Sequence, residues 1–519
     1  MKKREINKKI YKPLATLIIC LGILLITCLF FYPQNKSINK ILLSKKLNYK
    51  ATYHFTTPDK WKNDPQAPVF FDGKYHYYYL YNRDYPNGNG TEWREATSSD
   101  LVHWEDQGVA IPKYTNKNGD IWSGSVIVDA ENTAGFGAGS VVAVVTQPSS
   151  NGRQQEQYLW YSTNKGRTFK SYSDQPIIPN PGTKDFRDPK IIRDPNTNKW
   201  IMLLAEGTKI GFYESDNLKN WQYTGSFSTQ NIGLVECPDL FMIQANDGIY
   251  KWVLGVSANG KSSGKPNTYA YWIGNYNGKE FIADQGESQW LDYGFDWYAG
   301  VTFESGNNND KFTKRYALAW MNNWDYSNNT PTVQEGFNGM DSIVRQINLK
   351  KQVDDTYSLI SQPVETLNNL ITSTENLDKI EVVGSKTLQV EGEAYELDAD
   401  VSWADAQNVG LRLRESADKK HHIDVGIFVE NQCSYVNRSF TGQPDKSRKY
   451  VESRAPFDII NKKVHLKILV DKTSIEVFVD DGKVTYSSEV FPNPSDKGIS
   501  LFSIGGKSIF ENVVIKHFD

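Results

Sequence analysis

From Ala51 onward, apolar residues come either in alternation with polar ones or in short unbroken runs, and almost nowhere at the three- and four-residue spacing of a helix face. KYHYYYLYN at Lys74, VVAVVTQ at Val141, YLWYST at Tyr158, WIMLLAEG at Trp200, KIGFYES at Lys209, KWVLGVS at Lys251 and RYALAWMNN at Arg315 are rich in aromatic and β-branched residues and are separated by turn formers. Such segments read as strands. The pattern predicts an all-β protein.

A weak repeat sharpens this. SSDLVHWED at Ser98, STNKGRTFK at Ser162, ESDNLKNWQ at Glu214 and IGNYNGKEF at Ile273 each set polar turn residues ahead of an aromatic, and in the second Ser162, Asn164, Gly166, Thr168 and Phe169 stand at the offsets of an Asp-box hairpin. At this spacing the region 51–363 accommodates roughly five blades of a β-propeller. Residues 364–380 read as a linker with a short helix. From 381 to 519 strict alternation returns in LQVEGEAYELDADVSW, VGLRLRES, HIDVGIF, VHLKILVDKTSIEVFVDDG, GISLFSI and VVIKHF, which predicts a β-sandwich whose charged side chains face water.

Residues 1–50 differ. MKKREINKKIYKP is strongly basic, and Leu14 to Tyr32 form an uncharged run of 19 residues. That run is long enough to cross a bilayer, with the basic end held in the cytoplasm. No small-x-small site follows it, so an uncleaved anchor is expected over a cleaved signal peptide, with the bulk of the chain outside the membrane in either case.

Composition narrows the function. A formal net charge of -3 offers no basic face for nucleic acid. Of four Cys, only Cys237 and Cys433 lie outside the first apolar segment, so no disulfide framework is required, and the seven His show no metal-ligand spacing. Fourteen Trp and 29 Tyr suit both core packing and stacking on sugar rings.

Three acidic turns carry the candidate chemistry: WKNDPQAP places Asp64 before a proline, FRDPK does the same for Asp188, and VECPDLF sets Glu236 two residues ahead of one. Each alone is ordinary turn or ion-pair chemistry. In a propeller the ends of the innermost strands converge on one funnel, so acids 124 and 48 residues apart can meet. Convergent carboxyls suit glycoside cleavage, which needs a nucleophile or base and a proton donor. On that reading Asp64 attacks, Glu236, beside Cys237 and apolar neighbours, holds the proton, and Asp188 stays ionised beside Arg187.

On these motifs the chain resembles glycoside hydrolase family 32, whose members cleave fructans and sucrose with a five-bladed propeller followed by a β-sandwich. WKNDPQAP matches the family's nucleophile motif, WSGS (Trp122 to Ser125) a substrate-pocket motif, FRDP the transition-state-stabiliser motif and ECPDLF the acid/base motif, while DKTSIEVFVDDG resembles its sandwich signature. The resemblance implies Asp64 as nucleophile, Asp188 as stabiliser and Glu236 as acid/base. It also implies Trp61, Asn63, Trp93, Trp122, Ser123 and Arg187 as binders of fructosyl units. Asp296 and Trp297 in YGFDWYAG and Trp324 in WMNNWDY are further candidates, for which core packing or a turn is an equal alternative.

The chain departs from the common members at Gln66-Ala67, where they carry Asn-Gly, and at Leu80, where they carry glutamine. Losing an amide that grips a terminal fructose favours an open groove over exo-action. The implied activity is retaining, endo-acting hydrolysis of β-2,6-fructosyl linkages in levan with release of levanbiose, like the bacillar members that the chain most resembles. No cofactor is needed, and a monomer is expected. An exo-acting β-fructosidase, a fructosyltransferase and a non-catalytic fructan-binding protein are the alternatives.

Overall fold

A computed structural model describes residues 48–148, 154–444, 449–457, 459 and 461–518. The basic amino end and the run from Leu14 to Tyr32 lie outside the described residues. Among the described ones, no helix is long and apolar enough to cross a membrane.

Five small antiparallel sheets follow one another along the chain, each with its strands in sequence order from the centre outward. They are the blades of a propeller. Their innermost strands are Lys60–Pro65, Gly124–Asp129, Arg187–Arg193, Val235–Gln244 and Tyr298–Glu304. A short strand from the fifth-blade region, Phe337–Asn338, pairs in parallel with Lys60 and Trp61 and fastens the last blade to the first.

The run Lys74–Asn82 shows why these strands do not simply alternate. Tyr75, Tyr77, Tyr79 and Tyr81 pack toward Val301, Phe303 and Leu318 of the fifth blade. Tyr78 and Leu80 face the opposite way, into Val126, Val141 and Ala143 of the second. A middle strand of a blade is covered on both sides, so its sequence is apolar at successive positions. At roughly 2 kcal/mol for each large side chain buried, this strand is a principal source of blade-to-blade cohesion. The repeated hairpins have a common cause as well. The hydroxyls of Ser98, Ser162 and Ser215 each accept bonds from backbone N–H groups two to four residues ahead. The loop thus closes on its own side chain.

The segment 364–380 is no plain linker. It holds a 3-10 turn, Glu365–Leu370, and then a strand, Ser373–Leu377, paired with the carboxyl end of the chain. The following domain is a sandwich folded from one continuous sheet. GISLFSI and VVIKHF are the two ends of a single 20-residue strand, Gly498–His517. Its first half pairs with Asn408–Glu415 and its second half with Tyr395–Trp403, so the strand crosses from one layer to the other. Gly505, at φ 77°, lies at the crossing.

Not all charges of the sandwich face water. Glu476 is fully buried against the propeller. Arg345 Nη1 reaches Asp292 at 2.9 Å, and the same guanidinium pairs with Glu476. His54 Nε2 meets Glu476 at 3.0 Å while its Nδ1 meets Asp471 at 2.9 Å. Alternation places every second residue on the inner face, and here the cover is another charged surface rather than an apolar one.

Candidate active site

Each innermost strand brings one or two side chains to the same end of the propeller. In four of the five, the pairing register with the next strand shifts at the same place: between Lys62 and Pro65, Arg187 and Lys190, Glu236 and Asp239, and Tyr298 and Val301. The second blade's strand, Gly124–Asp129, pairs without a break. These shifts are bulges, which turn a side chain out of the sheet's alternation. Asp188, Cys237 and Ala299 occupy the bulges with φ of 60°, 46° and 50°. Left-handed backbone at such residues is costly and concentrates at functional sites. Pro189 and Pro238 directly follow Asp188 and Cys237, where a residue without an N–H leaves no ladder donor unpaired.

Asp64 is held from two sides. Ser123 Oγ donates to its Oδ2 at 2.5 Å and Asn63 Nδ2 to its Oδ1 at 3.1 Å. Gln66 ties this corner to the second blade: its Nε2 donates to the Asp64 carbonyl at 3.1 Å and its Oε1 accepts from Gly124 N–H at 2.7 Å. Asp188 is buried, and its Oδ2 accepts the Cys237 N–H at 3.0 Å. Glu236 accepts from Arg187 Nη2 at 3.0 Å on one oxygen and from Tyr298 Oη at 2.6 Å on the other. Cys237 Sγ lies 4.0 Å from Asp64 and 3.7 Å from Asp188, and Arg187 stands between Asp188 and Glu236, so the three acids share one floor.

Desolvation on that floor raises the Asp64 carboxyl to about 6, and the negative Glu236 pushes the same way against the Ser123 and Asn63 bonds. Asp188 is also raised, to about 7, by burial first; Arg187 opposes this, and Glu236 and Asp64 add to it. Arg187 thus favours the ionised form of Asp188, as the sequence predicts, while burial works against it. With Arg187 Nε 3.9 Å away and also drawn to Asp185 and Glu236, its field does not offset the loss of water.

The other sequence candidates divide. Trp61 bonds Asn63 Oδ1 through its indole N–H at 3.0 Å and forms the wall beside Asp64. Trp122 is half-buried at the same end and is fixed by Asp120 at 2.9 Å. Trp324 is 47% exposed, stands 4.8 Å from Trp320 and 6.3 Å from Trp61 between ring centroids, and forms the rim. Trp93 is fully buried and donates to the Trp122 carbonyl at 2.9 Å, so it supports a pocket residue instead of lining the pocket. Leu80 pairs with it across the strands and is equally buried.

Asp296 and Trp297 are not in the site. Asp296 pairs with Arg438 of the sandwich at 2.7 Å, and the Trp297 indole donates to Ser342 at 3.0 Å beneath the Arg345 guanidinium. The residue that does enter from this stretch is Tyr298, which the sequence reading passed over. Asp185, 2.6 Å from Arg187 Nη1, was also missed. Among the described residues no cluster of His, Cys, Asp and Glu has the arrangement of a metal site.

Two adjoining family models cover this architecture: the glycosyl hydrolases family 32 N-terminal domain over residues 54–363 and the family 32 C-terminal domain over 364–517. The chain is 64% identical over 508 residues to a levanbiose-producing levanase of Bacillus subtilis, covering 98% of both chains. It is 65% identical over 396 residues to a levanbiose-producing levanase of Geobacillus stearothermophilus, covering 76% of this chain and all of that one. Among solved structures, an exo-inulinase from Aspergillus awamori superposes with a TM-score of 0.82 at 27% identity, covering 92% of this chain and 99% of that one. The propeller with its floor of three acids and the sandwich behind it thus make this chain a member of glycosyl hydrolase family 32.

Proposed function

We propose that this chain is a retaining hydrolase of β-2,6-fructan that cuts levan internally and releases levanbiose. The observation that carries this reading is the convergence of Asp64, Asp188 and Glu236 beside Arg187, in a chain so similar throughout its length to levanbiose-producing levanases. Asp64, oriented by Ser123 and Asn63, attacks the anomeric carbon of a fructosyl unit. Glu236 protonates the departing oxygen and then takes the proton from the water that resolves the fructosyl-enzyme. Arg187 and Tyr298 hold Glu236 in place for both steps. Asp188, at the same floor, accepts hydrogen bonds from ring hydroxyls that strengthen as positive charge develops on the sugar.

Internal cutting fits one feature: the exposed Trp324 ring offers a stacking face at the rim for units beyond the cleaved bond. All of this chemistry needs only side chains of this chain, acting as a monomer. The basic end and apolar run before Tyr49 support an enzyme tethered to the membrane with its propeller outside, where a polymer too large to import is found.

The test is the early product profile from levan, inulin and sucrose supplied separately. Disaccharide from levan with little free fructose supports the proposal. Fructose alone from all three identifies an exo-fructosidase, products longer than the substrate in concentrated sucrose identify a transferase, and levan affinity without new reducing ends leaves only binding.

A further inference from the structure

The sandwich reaches the substrate side of the propeller through one buried arginine. Arg438 is fully buried. Its Nη1 pairs with Asp296 at 2.7 Å, its Nη2 lies 3.0 Å from Tyr326 Oη, and its Nε donates to the Tyr450 carbonyl at 2.8 Å. Tyr326 also bonds Asp296, and the Glu489 N–H donates to Asp296 Oδ2 at 2.8 Å. The guanidinium stacks over Phe295 at 4.8 Å. Nearby, Tyr450 of the sandwich contacts both Asp325 and Lys261, which belong to loops of the fifth and fourth blades.

What Arg438 grips stands close to the site in both directions along the chain. Asp296 is two residues before Tyr298, the donor to Glu236. Tyr326 is two residues after Trp324, the exposed aromatic of the rim. One cation from the sandwich therefore fixes the entry to the strand that presents the acid/base partner and the loop that presents the rim. A buried charge of this kind is satisfied only when every partner is in place, so it specifies one arrangement of both segments.

We propose that Arg438 is a positioning residue for substrate: it sets Trp324 and Tyr298 at the mouth of the site, and the sandwich thereby helps decide how long a fructan chain is held and where it is cut. This rests on the reading of the propeller site as a levan hydrolase. If the wild-type enzyme releases nothing from levan, that reading fails first; if it releases levanbiose, the Arg438 variants test this inference alone.

The experiment compares wild type, Arg438→Met, Arg438→Lys and Tyr326→Phe in the full chain, with kcat and KM for levan, the early product profile, and thermal midpoints as a check on folding. A purely structural role would reduce the number of active molecules, lowering apparent kcat with KM and products unchanged. The positioning role predicts that KM for levan rises about five- to tenfold in Arg438→Met, as expected for a displaced stacking aromatic, and that the share of free fructose rises. Lysine should restore part of the loss, because it keeps the charge without the fork. Tyr326→Phe should move KM in the same direction by less, and it remains informative if Arg438→Met does not fold. Unchanged KM and product profile in Tyr326→Phe, and in Arg438→Met where it folds, would overturn the proposal.

Discussion

Replacing Ser123 by alanine isolates the bond that keeps the nucleophile ionised. Its hydroxyl donates to Asp64 Oδ2 at 2.5 Å, and this bond is the largest influence drawing the carboxyl down from where burial puts it. A hydrogen bond to a charged group contributes about 1.5–3 kcal/mol, and one pKa unit corresponds to about 1.4 kcal/mol. Asp64 keeps the Asn63 bond and is only partly buried, so part of that loss is made up and a rise of about one unit is expected. The sign follows from the donor: removing a bond made to the anion disfavours the anion, so a carboxyl at about 6 moves upward. Since Asp64 must be ionised to attack, the acid limb of kcat/KM for levan should shift about one unit to higher pH. On that limb the variant should be about tenfold slower than wild type at equal pH, and on the plateau within about twofold. The assay is initial release of reducing sugar from pH 4 to 8. An acid limb that stays in place or moves to lower pH would refute the argument, because Ser123 would then not be stabilising the ionised carboxylate.

Asp64→Asn should lower kcat by at least about 10⁴-fold while the thermal midpoint stays within a few degrees, since the side chain is nearly isosteric; a fully active variant removes Asp64 from the nucleophile's role. Tyr298→Phe deletes the 2.6 Å donor to Glu236 and should cost about tenfold in kcat with a smaller change in KM, measured on levan at the pH optimum. Trp324→Ala should raise KM for levan by about fivefold and leave kcat within about twofold, a split that steady-state kinetics resolves. His54 provides a stability test: its partners Asp471 and Glu476 raise it to about 9 in the fold, against 6.5 unperturbed, despite burial. Its contribution, on the order of 3 kcal/mol, is fully present below 6.5 and lost as pH rises through 9. The thermal midpoint should fall across that window and His54→Gln should flatten the fall; an equal slope in both proteins would exclude His54 as its source.

Much of the propeller was legible because its strands are long in aromatic residues and its hairpins repeat a serine followed by an Asx residue. Ser98, Ser162 and Ser215 mark three outer turns as plainly in sequence as in space. The acids were legible as well, since each sits in a turn marked by proline. What failed was parity. A bulge inserts an unpaired residue, so on either side of it the rule that alternate residues share a face no longer holds. This is why Trp297 stands among the sequence candidates and Tyr298 does not, although the first faces the core and the second the site. Asp296, Glu476 and Arg345 were opaque for another reason. Their partners lie across the boundary between domains, and nothing local announces that an alternating strand will be covered by ions. The raised carboxyls of Asp64 and Asp188 depend on burial that only the assembled ring creates.

The recurring bulge has a consequence for how this fold acquires chemistry. Asn63, Asp188, Cys237 and Ala299 stand at corresponding stations of four blades, the last three with the same left-handed backbone. Direction at these stations is a property of the main chain, and identity is left to the side chain. The ring thus behaves as a set of sockets already aimed at one point, filled in turn with an amide, a carboxylate, a thiol and a methyl. New specificities can arise by refilling a socket, without rebuilding the strand that holds it, and Ala299 is the vacancy from which such a change would start.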